Sequence, residues 1–159
     1  MNRIGLIAAF MALAAPAAAH DRKAAAAPST LLPPAAREAA RTVDAFHAAL
    51  ARGDTRAAAA YVADDALIFE EGGAERSKAE YAAEHLDADA QFSRSVTSLA
   101  ERRTGRADRD FAWIASEGRT TGTFRGKAVD RRTTETMILR RIGKGWKIVH
   151  VHWSSAAAH

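Results

Sequence analysis

A chain of 159 residues is the length of one ordinary domain, and a hydrophobic share of 48% lets it bury a core, although alanine inflates that share. The absence of cysteine excludes disulfides and thiol redox chemistry, so packing alone must hold the fold. A formal charge of +4 is small, and the pairs Arg102-Arg103, Arg131-Arg132 and Arg140-Arg141 have no interleaved aromatics, which argues for solvated strand faces over a nucleic-acid groove.

The first residues have the pattern of an export signal. Arg3 supplies the positive start, Ile4 to Ala15 an apolar run, and Ala17-Ala18-Ala19 a small-residue cleavage site, so residues 1–19 are expected to be removed. The apolar run is shorter than the roughly 18 to 20 residues that span a bilayer, so no membrane association is expected after cleavage, and the mature domain is expected to be periplasmic or secreted. That chain would begin at His20, whose ring and free amine could chelate copper(II), though on a tail without fixed geometry. Residues 20–34 are Ala, Pro, Ser and Thr rich, too poor in large apolar groups to offset their ordering entropy, and read as a flexible leader.

Pro33 and Pro34 precede an expected helix over 35–51, where Ala39, Val43, Phe46 and Leu50 recur at helical spacing and Gly53 ends the run. Asp54 can cap a second short helix to about Val62, anchored by Tyr61, which makes a helical hairpin. A strand over 66–70 follows, with Ile68 and Glu70 on one face and Leu67 and Phe69 on the other, and Glu71-Gly72-Gly73 turns the chain. Ser77 and Glu80 have the spacing of a capping box for a third helix to about Asp87, on which Tyr81 and His85 share a face.

The second half alternates like strands, expected over 92–104, 111–124, 128–142 and 146–154, with short glycine-containing gaps that make neighbours antiparallel. Three helices followed by a four-stranded meander, plus the earlier short strand, give an α+β architecture over 35–154 with a short tail at 155–159.

Candidate chemistry concentrates at the ends of strands. Alternation places Trp146, Ile148, His150, His152 and Ser154 on one face, so the imidazoles of His150 and His152 project about 7 Å apart on the same side. They could handle a proton or hold a metal, but two ligands make no tight site; hydrogen bonds to Glu135, Ser154 or backbone groups are the structural alternative, and no metal or cofactor is expected. Glu70, sharing a face with Ile68, is the carboxylate expected to point inward, where burial would raise its pKa; a solvated strand end is the alternative. Trp113, Glu117 and Arg119 alternate along one strand face with Glu135 expected across from them, either cradling a polar aromatic ligand or forming a cross-strand ion pair.

The order of these elements, with Asp64-Asp65-Ala66-Leu67-Ile68-Phe69 after the helical hairpin and Gly145-Trp146-Lys147-Ile148-Val149-His150-Val151-His152-Trp153-Ser154 at the end, resembles the nuclear transport factor 2-like superfamily and within it the SnoaL-like group. The resemblance implies a cone-shaped α+β barrel, a curved and mainly antiparallel sheet around a long helix, with a cavity at its open end and often a homodimer through the sheet. Because that fold carries isomerases, dehydratases, cyclases and non-catalytic modules, it does not settle an activity. The steroid isomerase branch pairs a strand carboxylate with a tyrosine and a protonated acid, and here Glu70, Glu117, Glu135, Tyr61 and Tyr81 fall in no local motif that aligns with it.

The first expectation is therefore an exported domain binding a small apolar or aromatic molecule in a cone lined by Phe69, Trp113, His150 and His152, with Tyr81, His85 and Glu117 as further ligand-binding candidates. The second is an acid-base enzyme of isomerase, dehydratase or cyclase type in the same cavity, with His150 or His152 as base and Glu70 or Glu135 as orienting acid. A homodimeric assembly module is the third.

Overall fold

A computed structural model describes residues 29–158; the export signal, its cleavage site and His20 lie outside the described residues. Strand β1 (Ser29–Leu31) pairs in parallel with β4 (Val96–Ala107), so the end of the expected leader is ordered by backbone pairing, which needs no large side chain. A 3-10 turn at Pro34–Ala36 leads into helix α1 (Arg37–Arg52), which buries Ala39, Ala40, Val43, Phe46, Ala49 and Leu50 along one stripe. Gly53 ends it at φ 74, a left-handed conformation that suits glycine. Helix α2 (Thr55–Tyr61) starts on Asp54, whose carboxylate accepts from the Ala57 N–H at 2.9 Å.

Strand β2 (Val62–Glu70) begins four residues before the expected start and turns back into β3 (Gly73–Glu75). Helix α3 (Lys78–Glu84) is capped by Ser77, whose hydroxyl accepts from the Glu80 N–H at 3.0 Å, but the Glu80 carboxylate takes the Arg76 N–H at 2.7 Å. The capping box is thus shifted by one residue on its return arm. A fourth helix, α4 (Leu86–Ser95), replaces the expected strand start at Phe92, because Leu86 and Ala90, four apart, give this segment a buried helical face. Phe92 packs edge-on against Phe124 with ring centroids 5.2 Å apart.

Strands β4, β5 (Phe111–Phe124), β6 (Lys127–Ile142) and β7 (Gly145–Ala157) form the expected antiparallel meander, and β7 pairs through Ala157 where a tail was expected. The sheet has seven strands in the order β1-β4-β5-β6-β7-β2-β3, with β2 parallel to β7. One face is covered by the helices, as the buried cross-strand row Ile114, Met137, Val151 and Ile68 marks. Irregularities curve it: β4 shifts register between Ala100 and Arg102, and opposite that shift a Cβ on Gly118 would lie 2.3 Å from the Leu99 carbonyl oxygen. None of the helices among the described residues is long and apolar enough to cross a membrane.

Candidate functional site

A second irregularity decides which side chains face inward. Leu139 pairs with Ile148 and Ile138 with His150, so Val149 has no partner on β6 and the face alternation of β7 inverts there. Trp146 and Ile148 face the helices with Val151 and Trp153, whereas His150 and His152 face the uncovered side. The expected single face from Trp146 to Ser154 is corrected accordingly.

The four residues expected to line a cone lie together on that outer face or beside one another on it. Phe69, paired with His152 across the strands, meets the His150 and His152 rings edge-on at 5.3 and 6.2 Å. His150 Nδ1 donates to the Leu67 carbonyl oxygen at 2.9 Å, the backbone role weighed as the structural alternative, and His152 is exposed. Trp113 is 42% exposed. Glu117 sits 3.8 Å from Arg102, and Arg119 makes two 2.6 Å hydrogen bonds to Asp130, so that strand face carries ion pairs. Glu135 is not across from Trp113 and Glu117; its partner is Ser116, on the opposite face.

Glu135 instead belongs to an inward row running Glu70, Trp153, Glu135, Ser116 and Arg103 across β2, β7, β6, β5 and β4. Helix α1 crosses over this row. Phe46 stacks on Trp153 at 6.3 Å between centroids, with the planes 14° apart, and Arg103 joins Asp44 to the Ser116 hydroxyl. Next to Phe46, His47 reaches down so that its Nε2 lies 2.6 Å from Glu135 Oε2, which also accepts from Trp153 Nε1 at 2.8 Å. The Glu135 side chain is 10% exposed and that of His47 40% exposed, so the carboxylate stands behind the imidazole. His47 Nδ1 has no partner among the described residues.

The electrostatics follow from that arrangement. Burial pulls the His47 pKa down, but the Glu135 charge and hydrogen bond outweigh it, and the value is raised above 6.5. Burial pushes Glu135 up, yet His47 and the Trp153 N–H leave it below 4.5. The carboxylate thus favours the protonated form of the ring it holds.

At the other end of the row, burial and then repulsion from Asp89, Glu71 and Glu75 push Glu70 from 4.5 up to about 7, with His85 offsetting part of it. Tyr81 does not reach over a cavity mouth: it is buried, its hydroxyl donates to Asp89 Oδ2 at 2.7 Å, and burial followed by the Asp89 charge raises its pKa. Burial also raises Asp89. His85 is exposed and pairs with the buried Glu75. Glu75, Glu84 and His85 each bring one ligand atom within 4.8 Å of the others, but two of the three are solvent-exposed, as in a helix-end ion pair.

Of the expected catalytic residues, Glu70 and Glu135 share the concave face and His150 and His152 do not. His47 and Asp89 had not been anticipated. The available signal for His47 was its place on α1, four residues after Val43 and three before Leu50, at the border of the apolar stripe.

A family model described as a SnoaL-like domain matches residues 40–158. No curated protein sequence matches the chain. Among solved structures, a candidate ketosteroid isomerase from Shewanella frigidimarina is 35% identical, with a TM-score of 0.69 over 74% of this chain and 94% of its own. A candidate calcium/calmodulin dependent protein kinase II association domain from Xanthomonas campestris is 25% identical, with a TM-score of 0.66 over 76% of this chain and 87% of its own. A candidate dehydratase of the nuclear transport factor 2-like family from Streptomyces avermitilis shares the fold at 16% identity, with a TM-score of 0.62 over 77% of this chain and 96% of its own. With the family match spanning most of the chain and the cone-shaped α+β architecture in place, this protein belongs to the SnoaL-like group of the nuclear transport factor 2-like superfamily.

Proposed function

We propose that the chain binds a small apolar or aromatic molecule beside Trp153 and His47 and moves a proton on it, as an isomerase or dehydratase does. Glu70 is the base, and His47, held by Glu135, is the acid. The observation that carries this reading is the 2.6 Å contact between a half-exposed imidazole and a buried carboxylate on the concave face. The Glu135 carboxylate favours the proton-carrying form of His47, while Glu70 at about 7 is divided between its two forms at neutral pH, so the row offers a donor and an acceptor. Glu70 and Glu135 lie two strands apart, about 10 Å by strand spacing, with the Trp153 ring between them on the same row.

In such a reaction Glu70 takes a proton from carbon beside a carbonyl, and His47 donates to the carbonyl oxygen as charge develops. Glu70 then returns the proton to the far carbon of the enol, two atoms along, while His47 takes its own proton back from the oxygen, which restores the carbonyl and both groups. Tyr81 is committed to Asp89, which leaves the donor role to His47. The similarity to a candidate ketosteroid isomerase supports cyclic ketones as the first compounds to try.

The test is deuterium exchange from heavy water into a panel of cyclic enones, followed by NMR. Wild-type protein is expected to catalyse it, with Glu70→Gln and His47→Gln each slowing it by about 100-fold or more. Exchange that Glu70→Gln leaves untouched would remove the proposal.

We also infer that the outer sheet face meets a second copy of this chain. Exposed Phe69 and Trp113 on a helix-free sheet support it, as does the similarity to an association domain. Light scattering at low concentration should give a dimer that Trp113→Glu splits; a wild-type monomer would refute it.

A further inference from the structure

One arginine stands in the concave row without a part in the proton chemistry. β4 carries Arg102 and Arg103 side by side, a pair whose sequence suggests a solvated strand face, and the register shift between Ala100 and Arg102 parts them. Glu101 has no partner on β5 there, so the inward set changes from even numbers to odd ones. Ser98, bonded to the buried Thr120, faces inward before the shift, and Arg103 and the buried Gly105 do so after it. Arg102 is left outside beside Glu117, whereas the Arg103 side chain is 16% exposed. Thr30 of β1 and Ser116 of β5 are its neighbours, so the strand is paired on both sides at this residue.

Two bonds fix where Arg103 points. Its Nη1 donates to Asp44 Oδ1 at 2.5 Å, and its Nε donates to the Ser116 hydroxyl at 3.1 Å. Asp44 stands three residues before His47 on α1, on the same side of the helix, and Ser116 is the β5 partner of Glu135. The planar guanidinium therefore spans from the helix that carries the imidazole to the strand beside the carboxylate. Helix α1 is tied to β6 by His47 and Glu135 and to β4 by Asp44 and Arg103, on either side of β5. An exposed ion pair orders little, but this arginine is largely buried and bonded twice. The hydrophobic attraction of the α1 stripe is non-directional, whereas these bonds specify the distance and angle at which His47 arrives.

We propose that Arg103 is a positioning residue: with Asp44 and Ser116 it holds the α1 turn that carries His47 where the imidazole meets Glu135. Its effect on turnover rests on the proton-transfer reading, but its effect on the His47 ring needs no substrate. The charged groups facing His47 are Glu135 from β6, Arg103 from β4 and Asp44 on α1 itself. Charge and position act on the ring in opposite directions, which makes the role separable. After burial and the two larger contributions of Glu135, the Arg103 charge works against the proton on His47. As a fastener, Arg103 keeps His47 on Glu135 and so favours that proton. Arg103→Lys keeps the charge but has no planar fork to reach both Asp44 and Ser116. Arg103→Gln removes the charge as well.

The experiment is an NMR pH titration of His47 in the wild-type protein, Arg103→Lys and Arg103→Gln, with Arg103→Lys repeated in the Glu135→Gln background. The pH profile of deuterium exchange is measured beside it. Positioning predicts that His47 titrates at lower pH in Arg103→Lys and Arg103→Gln than in the wild type, and that the lysine makes no such change once Glu135→Gln has removed the carboxylate. Because His47 acts as the acid, the alkaline limb of exchange should move to lower pH in Arg103→Lys, with the rate at pH 8 down about tenfold, while the acid limb set by Glu70 stays in place. If Arg103→Gln fails to fold, the lysine variant decides alone. An unchanged His47 titration in Arg103→Lys, a rise in Arg103→Gln as charge alone would give, or an equal fall in the Glu135→Gln background would each overturn the assignment. The expected titrations without any exchange by the wild type would remove the proton-transfer reading and leave the Arg103 assignment standing.

Discussion

Glu70 ionises in the folded protein only against the pull of burial and of three neighbouring carboxylates. Moving its carboxyl from 4.5 to about 7 would cost the folded state about 3 kcal/mol once the group is charged, an upper bound that solvent screening at this part-exposed strand end reduces. Because the folded value is raised, the stability associated with neutral Glu70 is full below 4.5 and is lost as pH rises through about 7. Glu70→Gln should therefore stabilise the protein at pH 8 by up to about 3 kcal/mol and leave it little changed at pH 4, as denaturant titrations at both pH values will read. Stabilisation by removal of a charged group is the signature of a side chain kept for chemistry. The His47 and Glu135 pair has the opposite character. Glu135 is depressed, so its contribution is present above 4.5 and lost as pH falls through its folded value; His47 is raised, so its contribution is present below 6.5 and lost as pH rises through its folded value. Glu70 and Glu135 were legible as candidates from strand alternation. His47 was not, since an imidazole beside a helix stripe acquires a role only when the sheet register brings a carboxylate beneath it.

At the scale of elements, the sequence reads well where one local rule governs. The α1 stripe, the Asp54 cap, the Gly53 stop and the glycine-marked gaps of the meander each follow from backbone chemistry within a few residues. It reads poorly where tertiary contacts choose between two local solutions. Phe92 suits a strand by propensity, but Leu86 and Ala90 bury a helical face and keep it in α4. The unpaired Val149 carries no mark of its own: the run from Trp146 to Ser154 alternates without a break, and only the pairing with β6 shows that the inward set changes from even to odd numbers. That one residue separates the expected site, with His150 and His152 inside, from the observed one, with Trp153 inside and the two histidines outside. Side-chain period is two, so a single insertion reverses every later assignment on the strand. Glu70 escaped the error because the irregularity on its own strand, between Val62 and Leu67, comes before Ile68, the neighbour that fixes its face.

Across the whole molecule, the curved sheet and the helices divide the polar and aromatic groups among separate regions: a concave row with the His47 and Glu135 pair and Glu70, and an outer face with exposed aromatics. The family membership fixes the architecture but leaves the activity to these sites. What makes the concave row chemically distinct is that its two ends hold opposite proton affinities for their residue types, a raised imidazole on a depressed carboxylate at one end and a raised carboxylate at the other. The most direct check is a pH titration of the His47 ring and Glu70 carboxyl by NMR in the wild-type protein and in Glu135→Gln. The expected result is His47 titrating above 6.5 and Glu70 near 7, with His47 falling back toward or below 6.5 once Glu135 loses its charge. A His47 that titrates at or below 6.5 in both proteins, beside a Glu70 at its ordinary 4.5, would contradict the account.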